Sequence, residues 1–374
     1  MTFLIVASFP DSLLKFRGPL LEALQAQGLK VHVAVPDLDL GSNIYQTLQA
    51  KGIAVHDIPL QRTGMNPLAD LKAMLVLFGL MRKLKPQWVL GYTIKPVIYG
   101  SLAARLARVP MRFALITGLG YAFTGEQVGG KRGVLRKLVQ RLYATALGGC
   151  HKVFFQNPDD ESLFRELGIL AQWIRSVVVN GSGVNVSEFS MSALPANPRF
   201  LLIARLLGDK GVREYAAAAR RVKEKYPYVS FGLVGWIDDN PDAITQAELD
   251  EWIASGTLDY LGKLSDVRPA IAGSSVYVLP SYREGTPRTV LEAMAMGRAI
   301  ITTNAPGCRE TVINGDNGFL VPVKSVDELS AAMERFVTEP ELAAKMGQRS
   351  RKIAEQKYDV HKVNEHMLQE MGIK

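Results

Sequence analysis

The stretch Val276-Tyr277-Val278-Leu279-Pro280-Ser281-Tyr282-Arg283-Glu284-Gly285-Thr286-Pro287-Arg288-Thr289-Val290-Leu291-Glu292 decides the fold. It begins as an uncharged apolar run, too short for a helix and typical of a strand buried on both faces. A polar loop with Gly285 and Pro287 follows. Val290, Leu291, Met294 and Ala295 then recur at helical spacing, and Gly297 marks a stop. Strand, loop and helix make one unit of an α/β sheet.

Working outward, the same grammar repeats. Phe3–Ala7, Val31–Val35, Trp88–Gly91, Phe113–Ile116, Val153–Gln156 and Val177–Asn180 read as buried strands. A second series runs through Phe200–Ala204, Ser230–Val234, Leu258–Leu261, Val276–Pro280, Ala299–Thr302 and Gly318–Val321. Amphipathic segments separate most of them, which predicts doubly wound α/β architecture with parallel sheets. Two series in 374 residues imply two domains. The break is expected between Phe189 and Arg199, where residues 190–198 carry two prolines and no charge. The domains are therefore expected at 1–190 and 191–357, with a helical segment from Tyr358 to Met371 returning to the first.

Apolar content of 48% and charged content of 21% exclude a disordered chain. Two cysteines, Cys150 and Cys308, exclude a disulfide framework and suit a reducing cytosol. The start reads as a strand, with no basic leader before it. The longest apolar run, Ala73 to Met81, is about half of what a bilayer span needs. A soluble or peripheral protein is expected. Charge is distributed unevenly: Arg62 to Cys150 holds fourteen Lys and Arg against only Asp70 and Glu126, in a chain of net charge +8. One half is built to face something negative. Its helical pattern Leu68, Leu71, Leu75, Phe78, Met81 ends in Arg82, Lys83 and Lys85, which is equally the ordinary preference for cations at a helix C-terminus. With no recognition-helix, zinc-finger or RNA-binding signature, no nucleic-acid partner is expected.

The chemistry-bearing residues follow strand ends, where open parallel sheets hold ligands. Thr286 is expected as an N-cap and Pro287 at the first helical position, so the helix start offers amide donors and a dipole to an anion. Glu284 precedes the cap. Glu292 lies about 130° from the centre of the buried stripe, free to reach a ligand such as a ribose diol. The same residues also describe a plain capped helix with two solvated glutamates. After Phe200–Ala204, Arg205 and Lys210 with Gly208 and Gly211 can clamp a diphosphate, or be exposed loop cations. Neither cysteine has ligand spacing, and Asp37-Leu38-Asp39 follows a strand of the other domain, so no metal is expected.

Together these segments resemble glycosyltransferase family 4, the retaining GT-B enzymes that take sugars from nucleotide diphosphates. The resemblance covers nearly the whole chain. It includes Asn180-Gly181-Ser182-Gly183-Val184-Asn185, Arg205…Lys210-Gly211, Leu258-Asp259-Tyr260-Leu261-Gly262, the Glu284…Glu292 pair and Asn314-Gly315-Asp316-Asn317-Gly318-Phe319-Leu320-Val321. It implies two Rossmann-like domains facing a central cleft and a UDP-sugar as substrate, with no other cofactor. By the same resemblance Arg205 and Lys210 hold the donor diphosphate, Glu292 the ribose and Glu284 the sugar hydroxyls, these being the catalytic candidates with Glu292 on the donor side. Gly285, Thr286, Pro287, Arg288, Thr289 and Val290 would line sugar and phosphates, and Gly262, Lys263 and Leu264 the base.

Tyr92-Thr93-Ile94-Lys95-Pro96 and Arg112 to Tyr121 resemble the bacterial branch of N-acetylgalactosaminyltransferases and their relatives that extends undecaprenyl-diphosphate-linked sugars. Phe16-Arg17 matches it too. The resemblance makes Phe16, Arg17, Lys95, Gly118, Leu119 and Gly120 the acceptor-side candidates, though Lys95 is equally a solvated loop lysine. It implies a polyprenyl-diphosphate-linked sugar acceptor, an anionic membrane gripped by the basic domain, and a place on the inner face of the bacterial cytoplasmic membrane. The chain departs from the family in two places. Ser8-Phe9-Pro10-Asp11-Ser12 stands where many relatives carry Gly-Gly, and Thr93-Ile94-Lys95 where many carry a His. Two other readings compete: a nucleotide-sugar epimerase of the same architecture, which would need no acceptor, and a non-catalytic membrane-associated scaffold.

Overall fold

A computed structural model describes residues 1–61, 64, 66–119 and 131–373, without the side chains of 131, 132 and 135. The expected acceptor residue Gly120 lies outside the described residues. The chain forms two compact units, Met1–Ser182 with Val363–Lys374, and Gly183–Lys362. The boundary expected at 190/191 thus falls inside the second unit.

The first unit holds β1(Thr2–Val6), α1(Asp11–Ala26), β2(Lys30–Val35), α2(Asn43–Ala50), β3(Ala54–Asp57), α3(Pro67–Leu84), β4(Trp88–Tyr92), α4(Ser101–Leu106), β5(Met111–Ile116), α5(Lys131–Leu147), β6(Lys152–Phe155), α6(Pro158–Glu166) and β7(Ser176–Val178). Its seven strands are parallel, in the order β3-β2-β1-β4-β5-β6-β7. Every residue from Phe3 to Val6 is buried, as a central strand covered on both faces requires. Capping is local chemistry. The Asn66 side chain accepts from Ala69 N–H at 3.3 Å, ahead of Pro67 at the first position of α3. Asn157 does the same for α6, accepting from Asp160 N–H at 2.8 Å.

The second unit holds β8(Arg199–Ile203), α7(Val212–Lys225), β9(Ser230–Val234), α8(Gln246–Ala254), β10(Asp259–Tyr260), α9(Arg268–Ala272), β11(Val276–Leu279), α10(Arg288–Ala295), β12(Ala299–Thr303), β13(Gly318–Val321), α11(Val326–Thr338) and α12(Glu341–Ile353). Its six strands are parallel in the order β10-β9-β8-β11-β12-β13. A π-turn at Ala354–Tyr358 leads to α13(Val360–Glu370), whose Met367 and Leu368 are buried in the core of the first unit beside Leu20 and Leu24. The helix therefore begins at Val360, two residues after the expected Tyr358.

In each sheet the strand order reverses once, between β1 and β4 and between β8 and β11. In open parallel sheets ligands are held at such reversals, where the loops leaving the two strands run in opposite directions. Among the described residues no helix is long and apolar enough to cross a membrane.

Candidate functional site

In the second unit, two backbone approaches set the geometry at the β8/β11 reversal. Gly211 starts α7 at φ +69, and a Cβ there would overlap the carbonyl of Pro280 at the end of β11. Gly307, at φ +80, lies equally close to the Glu284 carbonyl, while Glu284 N–H donates to Pro306 O at 2.9 Å. The two glycines let the segments before α7 and after β12 close on the loop that carries Glu284.

Lys210 and Glu284 meet there. Lys210 Nζ donates to Glu284 Oε1 at 2.7 Å, and both side chains are largely buried. Burial works against the Lys210 ammonium, but Glu284 and Asp209 outweigh it and hold its pKa above the ordinary value. Arg205 lies close enough to oppose that charge, and its Nη1 pairs with Asp238 Oδ2 at 3.1 Å. Tyr282 N–H donates to the Asp209 carbonyl at 2.9 Å, which fastens the Lys210 turn to the Glu284 loop.

Helix α10 departs from expectation in two ways. Pro287, not Thr286, is the N-cap, because its ψ of 109 stays extended and leaves Arg288 as the first helical residue. Glu292 is not on a solvated face: it is 7% exposed, and Arg288 Nε donates to its Oε1 at 2.8 Å. The reason is that α10 packs on β11, β12, α12 and the following π-turn, so residues 290–295 are all buried. Burial raises the Glu292 pKa, with Arg288 opposing. Tyr277 OH donates to Ile203 O at 3.0 Å, and Thr289 Oγ1 donates to the Tyr277 hydroxyl oxygen at 2.7 Å. That link ties the first turn of α10 to the end of β8. Cations, carboxylates and a helix start thus share one strand reversal, a set able to hold an anion beside a polyol.

The residues expected around a base lie at the end of β10. Gly262, at φ +69, accepts from Gly235 N–H at 2.9 Å, Leu264 packs on the core, and the Lys263 ammonium sits 4.8 Å from the Trp236 ring centre. Trp236 and Asp238 were not foreseen. Their position just past the C-terminal end of β9 is the signal that would have found them.

In the first unit the β1/β4 reversal gathers a second polar cluster. Thr93 leaves β4 at φ +68, a conformation rarely adopted by a β-branched residue, and its Oγ1 donates to Ser8 Oγ at 2.9 Å. Arg17 is buried, 5.1 Å from the Tyr92 ring centre, and the Tyr92 hydroxyl lies 2.6 Å from Ser12 Oγ. Lys95 is not a solvated loop lysine: its Nζ donates to buried Asp70 Oδ1 at 2.7 Å, and Tyr99 OH to Oδ2 at 3.0 Å. Asp70 comes from the first turn of α3, whose capped start brings the carboxylate over Lys95. Phe16 is exposed, Leu119 is buried, and Gly118 takes φ +131. Asp37 and Asp39 line a groove with Asp57 and Lys72. No group of three metal-ligating side chains occurs among the described residues.

Two family models match, "Glycosyl transferase 4-like" over residues 6–157 and "Glycosyl transferases group 1" over 188–353. The chain is 30% identical over 345 residues, 88% of either chain, to the N,N'-diacetylbacillosaminyl-diphospho-undecaprenol alpha-1,3-N-acetylgalactosaminyltransferase of Campylobacter jejuni. It is 28% identical to the UDP-Gal:alpha-D-GlcNAc-diphosphoundecaprenol alpha-1,3-galactosyltransferase of Escherichia coli, over 74% of this chain and 73% of that one. In fold it is similar to sucrose-phosphate synthase from Thermosynechococcus elongatus, with a TM-score of 0.81 and 18% identity over 99% of this chain and 98% of the other. The chain belongs to the glycosyltransferases of GT-B fold, with a glycosyl transferase 4-like first unit and a group 1 second unit.

Proposed function

We propose that the protein is a retaining, metal-independent glycosyltransferase. It moves N-acetylgalactosamine, or another hexose derivative, from a UDP-sugar to an undecaprenyl-diphosphate-linked saccharide in bacterial glycan assembly. The observation that carries this reading is the Lys210–Glu284 contact at the β8/β11 reversal. It belongs to a chain whose relatives are named for transfer to diphospho-undecaprenol. Neither name describes an epimerase, and the intact charge set argues against a scaffold.

In the proposed reaction the bond from the sugar's anomeric carbon to the diphosphate oxygen breaks, and an acceptor hydroxyl bonds to that carbon from the same face. The acceptor proton passes to the departing phosphate. Arg205, Lys210 and the start of α10 stabilise the negative charge that develops on the leaving group, as fixed charges do where a transition state gains charge. Glu284 and the backbone of Gly285 to Val290 orient the sugar, and Glu292 the ribose. Lys263, Gly262, Leu264 and Trp236 frame the base. Phe16, Arg17, Lys95, Gly118 and Leu119 stand on the acceptor side. The basic first unit holds the protein against the anionic inner face of the cytoplasmic membrane.

The test is transfer from a panel of UDP- and GDP-sugars to undecaprenyl-diphosphate monosaccharides in the presence of EDTA. An α-linked lipid disaccharide from a single UDP-sugar is the expected product. Interconversion of the nucleotide sugar without acceptor, or loss of transfer in EDTA, would overturn the corresponding part of the reading.

A further inference from the structure

Helix α3 is apolar on two opposite faces. Its inner stripe, Ala73, Leu77 and Met81, is buried against Leu4, Val6 and Val89 of the sheet and against α4. Its outer stripe carries Leu68, 79% exposed, Leu71, and Leu75, 55% exposed. Lys72 lies among them, and Arg82 and Lys83 are exposed at the C-terminal end. A helix on the surface of a water-soluble domain carries polar residues there, so among the described residues this outer stripe is left without an apolar partner.

The same device recurs on the same side of the sheet. Strand register places Leu4 beside Val89, and Val89 beside Arg112, whose face continues to Ala114 and on to Val153. Helix α5 covers that continuation with Val139 and Tyr143. Its outer stripe is Val134, Lys137, Leu138 and Arg141, with Val134 71% exposed. Helix α4, packed between α3 and α5, adds exposed Leu106 flanked by Arg105 and Arg108. Among the described residues from 66 to 150 the only carboxylate is Asp70, which is buried against Lys95. The outward charge of this layer is therefore of one sign.

We infer that the layer formed by α3, α4 and α5 is a bilayer-docking face. Its leucines and valines enter the headgroup–acyl boundary of an anionic membrane, while the surrounding cations rest on the lipid phosphates. This deepens the membrane proposal above and rests on its lipid-borne acceptor only for its biological purpose. Electrostatic adhesion alone would leave the exposed leucines without a role. A soluble polyanion would engage the cations and ignore the leucines. Lys72 also lines the groove with Asp37, Asp39 and Asp57, so Arg82 and Lys83 are the better charge probes.

The experiment is co-sedimentation of the full chain with vesicles of phosphatidylcholine, alone or mixed with phosphatidylglycerol, at low and high salt. No sugar or acceptor is present. Binding to the mixed vesicles is expected, with a part that survives high salt. The double variant Leu71→Ser/Leu75→Ser should lose that part, its partition falling about tenfold or more. Arg82→Gln/Lys83→Gln should weaken the preference for phosphatidylglycerol. Unchanged binding of the leucine variant, or no binding of the parent chain, overturns the inference. Transfer to a detergent-dispersed short-chain acceptor, measured on all three proteins, should be equal if the variants are folded. If the parent fails that transfer but binds vesicles, the proposed reaction falls and the docking face stands.

Discussion

Lys210 sits between two pulls: burial penalises its charge, while Glu284 and Asp209 restore it. The result is a cation fixed in place at a strand reversal, where it costs no reorganisation when a partner's charge grows. Lys210→Ala should lower kcat by about 10²–10³-fold with the fold intact, measured as transfer under saturating donor. Turnover at the parental rate would remove Lys210 from the leaving-group site. Asp70 presents the structural counterpart. It accepts from both Lys95 and Tyr99, so Asp70→Ala strands a buried ammonium and should cost about 3–5 kcal/mol in denaturant unfolding. The sequence made the Glu284…Glu292 spacing legible but not the partners of either residue. Arg288 lies one helical turn before Glu292, yet nothing in the pattern tells that α12 will cover that face. Lys210 and Glu284 are 74 residues apart in sequence, and only the closing of β8 on β11 brings them together.

Edge strands show what apolar patterning can and cannot find. Central strands such as β1, β8 and β12 are covered on both faces and announce themselves as runs. β3 was missed because Ala54-Val55-His56-Asp57 pairs on one side only and stays half exposed. β10 and β7, also at edges, are shorter than their apolar runs for the same reason. β3 carries a titrating device as well. His56 Nε2 lies 2.9 Å from His32 Nδ1 on β2, with the rings nearly parallel. One ring must be neutral to accept. Burial lowers both pKa values, with Lys30 adding to the effect at His32, and His32 and Lys83 adding at His56. The unfolded chain binds protons first, near the ordinary pKa of 6.5. The stabilisation is therefore complete above that pH and lost as pH falls through it toward the lower folded values. Thermal melts between neutral and mildly acid pH should show a shallower decline in His56→Gln than in the parent; an equal decline would assign the acid sensitivity elsewhere. At the level of backbone, Gly211→Ala places a Cβ against Pro280 O at a left-handed φ and should destabilise the second unit by more than about 1 kcal/mol.

At the scale of the whole chain, two arginines, Arg298 buried and Arg351 half-buried, fasten the start of the second unit. Arg351 Nη1 donates to the carbonyls of Val186 and Phe189 at 3.0 Å each and to Ala295 O at 2.6 Å. Arg298, fully buried, holds Ser192 O at 2.8 Å and Ala193 O at 3.1 Å. An uncharged, proline-bearing stretch looks like a linker in sequence. Here its carbonyls are satisfied by cations more than a hundred residues away, which no local composition reports. The return of α13 to the first unit was legible as a helix. Its anchors Met367, Leu368, Met371 and Ile373 are buried in that unit's core, and Lys152 pairs with Glu370. Each such side chain contributes about 1.5–3 kcal/mol, so ending the chain after Lys362 should remove more than about 5 kcal/mol from the first unit. Limited proteolysis should then cut β-strands of that unit and spare the second. Topologically the second unit is an insertion within the first, entered after Ser182 and left before Val363. On the ribosome this imposes an order. The first unit must wait, its core open along α1 and β6, while the 180 residues of the second are made, roughly 10–40 s at 5–20 residues per second. The nascent chain thus finishes its later-synthesised half before its earlier one, and that open core is the surface a chaperone would have to shield in the interval.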